Sequence, residues 1–133
     1  MQTTTRTAAQ LVAEAKQRVE NLTPEQVSAE IRDVQPLLID LREPNECAQT
    51  GTIAGAIQAP RGMLEFYADP SSPYHRPELD PSRRVILYCA SGGRSALAAD
   101  VLKSMGYTNV AHLDGGLRAW QAAGYLVEGG DTQ

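Results

Sequence analysis

The stretch Val85-Ile86-Leu87-Tyr88-Cys89-Ala90-Ser91-Gly92-Gly93-Arg94-Ser95 decides the fold. Its four leading apolar residues form the best strand signal in the chain, and so short a run reads as a buried parallel strand. Helical periodicity follows at once. Ala96, Leu97, Val101 and Leu102 share one face of a helix from about Arg94 to Met105, which Gly106 ends as a C-cap glycine. A strand passing through a glycine turn into a helix is one βα unit. In open α/β sheets ligands gather beyond the carboxyl ends of the strands, which is where Cys89 falls.

Working outward, the same alternation recurs. Leu37-Leu38-Ile39 predicts a buried strand ending at Asp40, with a short helix after Pro44. Residues 51–56 form a turn region before a short strand at Ile57-Gln58, and a further helix is expected over 61–67, starting near Arg61. The stretch 68–82 carries Pro70, Pro73, Pro77 and Pro81 and reads as an irregular surface excursion. Val110-Ala111-His112-Leu113 is the next strand, and Leu117 to Ala123 the last substantial helix. Upstream, Thr23, Pro24 and Gln26 form a helix start with a capping box, and Val27 and Ile31 give that helix its apolar face. Ala8, Leu11, Val12, Ala15 and Val19 place one more amphipathic helix over 7–20. The expected architecture is an α/β domain, a central mostly parallel sheet flanked by helices, with an extra N-terminal helix. Its expected division is a helical extension over 1–22, the domain proper over 23–127 and a frayed tail over 128–133.

The 133 residues suit one globular domain, and a hydrophobic fraction of 42% argues against disorder throughout. A formal charge of −4 points away from nucleic acid as a partner, because neutralising phosphates needs a basic face. No apolar run approaches the roughly 18 residues needed to span a bilayer, so no membrane partner is expected. The start Met1-Gln2-Thr3-Thr4-Thr5-Arg6 lacks a secretory apolar stretch, and the chain reads as cytoplasmic. Two cysteines in that compartment read as free thiols.

The loop after Cys89 has specific chemistry. Gly92 and Gly93 permit a tight turn that aims successive N–H groups inward as an anion nest, and the following helix adds its positive end. These features favour the thiolate. Arg94 supplies a fixed charge, and Ser95 a hydroxyl that either caps the helix or donates to the sulfur. Cys89 is thus the candidate nucleophile, activated by its loop rather than by an adjacent histidine.

Cys89-Ala90-Ser91-Gly92-Gly93-Arg94-Ser95 resembles the active-site loop of the rhodanese family, the thiosulfate sulfurtransferase-like proteins. Leu38 to Glu46 is similar to that family's first block, Gly51 to Ile57 to its second, and Asp114-Gly115-Gly116-Leu117-Arg118-Ala119-Trp120 to its C-terminal block. The resemblance covers roughly 23–126 in order and spacing. It departs at Cys47, where an aromatic residue is usual, and at Thr52, where histidine is common. The resemblance implies a two-step cycle with no metal or organic cofactor. Cys89 takes a sulfane sulfur from a small anionic donor such as thiosulfate, a persulfide or a polysulfide. It then passes that sulfur from its persulfide to a thiol or cyanide acceptor. The loop Ala90 to Ser95 would hold the persulfide. A protein donor or acceptor of sulfur is also compatible with it.

Other residues read as support. Asp40 is expected to pair with Arg94, and Arg42 with Glu46, as scaffold rather than chemistry. Arg61 either lines the pocket mouth or is a solvated helix-start arginine. Cys47 reads as a packed residue, with a resolving thiol as the rival reading. Trp120, Gly115 and Gly116 read as packing and a tight turn. His75 and His112 lie far apart without a cysteine or carboxylate cluster, which points away from a metal site. Each is expected to be satisfied or solvated. The excursion 68–82 reads as an inert surface loop rather than a lid. The helix over 7–20 packs back on the domain or joins two copies as a homodimer, and the sequence leaves both open.

Two rival functions share these features. Cysteine phosphatases of similar fold use Cys-x5-Arg, which widens the cradle for phosphate, whereas Cys89 and Arg94 are spaced Cys-x4-Arg. A non-catalytic interaction module would not require Cys89 and its intact loop, whereas a sulfur-carrying module that passes sulfur to a dedicated acceptor would share all these residues.

Overall fold

Thr7 and Thr23 open their helices by the same device. Each hydroxyl accepts the N–H of the glutamine three residues on, and that glutamine's carbonyl oxygen accepts the threonine N–H in return. In the computed structural model, which describes residues 5–130, these caps start α1 (Ala8–Arg18) and α2 (Pro24–Asp33). Between them lies β1 (Glu20–Leu22), a strand absent from the sequence expectation, so α1 ends earlier than the expected 20. The chain continues through β2 (Leu37–Asp40), α3 (Pro44–Thr50) and β3 (Ile57–Gln58). The helix expected over 61–67 is a 3-10 turn, Arg61–Met63, leading into α4 (Leu64–Ala68). Then come β4 (Val85–Tyr88), α5 (Gly93–Ser104), β5 (Val110–Leu113) and α6 (Gly116–Ala122).

The five strands form one sheet in the order β1-β5-β4-β2-β3, and every pairing is parallel. β2, β4 and β5 are buried along their whole length, as parallel strands covered on both faces must be. Alternate residues therefore feed two cores. Leu37, Ile39, Val85 and Leu87 meet Ala98, Ala99 and Leu102 of α5 and Leu64 and Ala68 of α4. Leu38, Ile86 and Tyr88 meet Val27 of α2 and Leu117 and Trp120 of α6. The sheet thus carries the carboxyl ends of all five strands to one rim, with Asp40 at the end of β2 and Cys89 just beyond β4.

The first residues of the tail, 128–130, lie against the turn that follows α3. Glu128 and Thr52 exchange backbone hydrogen bonds of 2.7 and 2.9 Å. A Cβ on Gly130 would stand 2.8 Å from the Gly51 nitrogen. Residues 131–133 of that tail, like residues 1–4 of the extension, lie outside the described residues.

Candidate active site

Cys89 sits at the tip of β4 with 1% of its surface exposed. Gly92 lies in the left-handed region (φ +103°), which favours glycine, and it turns the chain back so that its own N–H donates to Cys89 Sγ at 3.1 Å. Helix α5 begins at Gly93, so the N–H groups of Gly93, Arg94 and Ser95 have no partner within the helix. Ser95 Oγ lies 3.6 Å from Cys89 Sγ. The expected loop Ala90 to Ser95 is therefore wrapped around one buried sulfur.

A second helix start fixes the other side of the loop. The Leu117 N–H donates to the Cys89 carbonyl (2.8 Å) and the Arg118 N–H to the Ala90 carbonyl (3.0 Å). This approach needs Gly116, whose φ is +63° and whose Cβ would lie 2.6 Å from those same carbonyl groups. The Gly115-Gly116 pair is thus a tight turn, and a close-approach surface as well.

The ion pairs differ from expectation. Asp40 pairs with Arg42 rather than Arg94, through Nε (3.0 Å) and an η nitrogen (2.8 Å). Both residues are almost wholly buried. The Arg42 N–H also reaches Asp40 Oδ1 (3.0 Å), so the carboxylate is captured locally by the turn after β2. The same guanidinium donates to the Gly51 carbonyl and the Thr50 hydroxyl, both at 2.6 Å. Its place is structural, tying α3 to the sheet rim. Arg94 turns instead to Glu46 on α3, in a two-pronged contact of 2.8 and 3.0 Å. The Arg94 guanidinium holds the Glu46 carboxyl down at about 2. Arg61 pairs with Glu65, one helical turn on (2.9 Å).

Cys47 is buried on α3, 3.5 Å from Asp40 Oδ2. Burial, reinforced by Asp40, pushes its thiol up to about 11, which suits a packed residue and not a resolving nucleophile. Both cysteines are free. His75 lies within the proline-rich excursion, its Nε2 3.4 Å from the Leu79 carbonyl.

His112 holds a position that sequence reasoning did not assign to the site. It is fully buried on β5, its Nδ1 2.9 Å from Ser95 Oγ and its Nε2 2.7 Å from Asn21 Oδ1. Asn21 belongs to β1, and the adjoining α1 brings Lys16 to Asp114 at 2.9 Å. The N-terminal helix thus packs back on the domain beside the loop. A signal existed in the lone histidine inside a strand otherwise made of Val, Ala and Leu, but its partners come from β1 and α5.

A cleft of about 200 Å3 opens beside the loop, with Glu46, Gln49, Thr50, Ala90, Arg118 and Gln121 among its walls. Among the described residues no cluster of His, Cys, Asp and Glu could hold a metal ion, and no helix is long and apolar enough to cross a membrane.

Several known proteins are similar to this chain. A protein of Allochromatium vinosum named a sulfurtransferase is 36% identical over 110 residues, covering 82% of this chain and 94% of its own. A Rhodopseudomonas palustris protein of unknown function, described as a possible tyrosine phosphatase, superposes with a TM-score of 0.89 at 39% identity. The match covers 96% of this chain and 98% of that one. The polysulfide-sulfur transferase homodimer of Wolinella succinogenes superposes with a TM-score of 0.71 at 27% identity, covering 88% and 83%. The family model for the rhodanese-like domain matches residues 23–123, and the chain belongs to that family.

Proposed function

We propose that the protein is a sulfurtransferase that carries sulfane sulfur as a persulfide on Cys89. The observation that carries this reading is the Gly92 N–H held 3.1 Å from Cys89 Sγ, at the mouth of a helix whose first N–H groups are free. A persulfide is an anion one atom longer than the thiolate, and fixed N–H dipoles stabilise its negative charge. In the first step the Cys89 thiolate attacks the outer sulfur of a donor. A new S–S bond forms, the donor's own S–S bond breaks, and sulfite or a shortened polysulfide leaves with the electron pair. In the second step a thiol or cyanide attacks the outer sulfur and Cys89 leaves as thiolate. Neither step requires a metal or organic cofactor.

Donor preference follows from charge. Arg94 is the only charged side chain in the loop, and Glu46 neutralises it in the two-pronged pair. Arg42 is likewise bound to Asp40. Exposed Arg118 on the cleft wall is left as the cation facing an incoming anion. We therefore infer that dianionic thiosulfate is a weak donor and that a persulfide or polysulfide is the better one, an inference supported by the likeness to the polysulfide-sulfur transferase. The Cys-x4-Arg spacing of Cys89 and Arg94 speaks against phosphate chemistry despite the description given to the Rhodopseudomonas relative. The absence of an apolar membrane helix among the described residues is compatible with the cytoplasm.

Mass spectrometry tests the reading. After polysulfide treatment one added sulfur should map to Cys89, disappear in Cys89→Ser, and be released by cyanide as thiocyanate. Label on Cys47, or phosphate release from an aryl phosphate without any sulfur transfer, overturns it. A kcat/KM that favours thiosulfate over polysulfide overturns the donor preference alone.

A further inference from the structure

The hydrogen-bond chain behind Cys89 has a direction. Asn21 Nδ2 is committed to two main-chain carbonyls, those of Lys16 (2.9 Å) and Val19 (3.1 Å), so Asn21 presents its oxygen to His112. His112 Nε2 must therefore carry a hydrogen, and in the neutral ring Nδ1 is a bare acceptor. Ser95 Oγ, 2.9 Å from Nδ1, meets that acceptor with its single hydrogen. A longer contact to the Gly92 carbonyl, 3.4 Å, is the weaker alternative. With its hydrogen so engaged, Ser95 offers Cys89 only a lone pair, and that arrangement receives a thiol S–H.

An anionic sulfur reverses this requirement. A thiolate or persulfide needs the Ser95 hydrogen, which would leave Nδ1 without a donor in a fully buried pocket. Both demands are met if His112 gains a second hydrogen on Nδ1. We propose that His112 is a positioning residue which, acting through Ser95, stores the proton released when the sulfur on Cys89 becomes anionic.

The step balances. The S–H bond of Cys89 breaks as a new O–H bond forms on Ser95, and the former Ser95 O–H bond breaks as Nδ1–H forms. A neutral thiol and imidazole become a thiolate and an imidazolium. When the acceptor removes the outer sulfur and Cys89 leaves as thiolate, the proton returns along the same two bonds.

The surroundings make this coupling conditional on the sulfur. Burial pushes His112 down to about 4, with Lys16 opposing its charge and Asp114 favouring it. Lys16 and Asp114 pair with each other at 2.9 Å, so their effects largely offset. The remaining faces present neutral groups: Asn21 from β1, Ser95 from α5, and Leu87 paired beside His112 on β4. An imidazolium is therefore favoured only when the sulfur two hydrogen bonds away carries negative charge. Attraction at that range, at an effective dielectric constant of about 20, favours the charged pair by about a hundredfold.

The proposal rests on Cys89 being the sulfur carrier, and the test separates the two ideas. Ring nitrogens of His112 are read by long-range proton–nitrogen correlation in 15N-labelled protein, with His75→Gln identifying the other histidine. At pH 5, above the depressed value of about 4 and below the value about two units higher that an anionic sulfur allows, the protein loaded with one sulfur on Cys89 should show His112 protonated on both nitrogens, whereas Cys89→Ser should show the neutral Nε2–H form. A neutral His112 in loaded protein overturns the relay and leaves sulfur transfer standing. If no sulfur maps to Cys89, the sulfur-transfer reading falls, and the relay is decided on reduced protein by iodoacetamide alkylation against pH. There alkylation of Cys89 at pH 5 should be about tenfold slower in His112→Gln, which keeps a hydrogen-bonding amide but takes up no proton. Coincident profiles overturn it.

Discussion

A methyl group on Gly116 would lie 2.6 Å from the carbonyl carbon and oxygen of Ala90 and from the carbonyl oxygen of Cys89. All three are main-chain atoms, anchored by β4 on one side and α5 on the other, so no side chain can swing aside to accommodate it. Gly116→Ala therefore carries two costs. The left-handed φ of +63° costs about 1–2 kcal/mol for any residue with a Cβ. Relief of the clash requires α6 to move away, which costs about 1–3 kcal/mol by overpacking and weakens the hydrogen bonds from Leu117 and Arg118. A loss of about 2–5 kcal/mol is expected, read as a fall in the urea midpoint at constant m-value. Gly55→Ala is the control. Its φ is +85° but nothing lies within 4 Å of its Cβ, so it isolates the backbone cost. Sulfur loading of Cys89 should fall in the Gly116 variant and persist in the Gly55 variant. Equal destabilisation by the two substitutions would show that α6 does not press on the cysteine loop, and the account of how the loop is shaped would fail.

Glu46→Gln frees the Arg94 guanidinium and should raise kcat/KM for thiosulfate by about tenfold relative to polysulfide, since a charge-assisted contact is worth about 1.5 kcal/mol; an unchanged donor ratio refutes this. The same pair makes stability depend on pH. Because the Glu46 carboxyl is lowered in the folded state to about 2 from an ordinary 4.5, its contribution is complete above about 4.5 and lost as pH falls towards 2. After discounting for a pair that is about a third exposed, wild type and Glu46→Gln should differ by about 1 kcal/mol at pH 7 and converge near pH 2 in urea titrations. A gap that stays constant with pH contradicts that origin. Arg42→Ala strands the Asp40 carboxylate in the interior and should cost about 3–5 kcal/mol; a loss below about 1 kcal/mol means Asp40 is not held as an ion.

What could be read from the chain follows the range of the interactions. The capping box formed by Thr23 and Gln26, the apolar run into Cys89 and the glycine turn into α5 are all local, and each appears where residue chemistry put it. β1 is different. Glu20-Asn21-Leu22 has no apolar run and only one buried residue, and it is a strand because β5 offers an edge to pair with. The ion pairs depended on geometry that sequence does not carry. Arg94 had two carboxylates within plausible reach, and the placement of α3, 48 residues away, gave it Glu46. Asp40 was satisfied two residues along its own turn, before any distant arginine could compete. His112 looked unremarkable in a strand because its partners lie 17 and 91 residues away.

These long-range contacts share a consequence for the cysteine loop. Its carbonyl side is fixed by α6 through Leu117 and Arg118, and its helix side by α3 through the Glu46–Arg94 pair. Its interior is fixed by β1 through Asn21, His112 and Ser95. Each clamp is set by a residue outside the loop, so the sulfur's surroundings can be altered without touching the loop sequence. The clamps also differ in kind. The first is steric, and substitution at Gly116 acts on stability. The second is electrostatic and about a third exposed, so it acts on which anion enters. The third is buried and titratable, so it acts on the charge of the sulfur itself. A loop of Ala, Ser and Gly between its cysteine and arginine has no side chains of its own with which to make these distinctions. Donor selectivity and proton handling must therefore reside in the helices and strands packed around it.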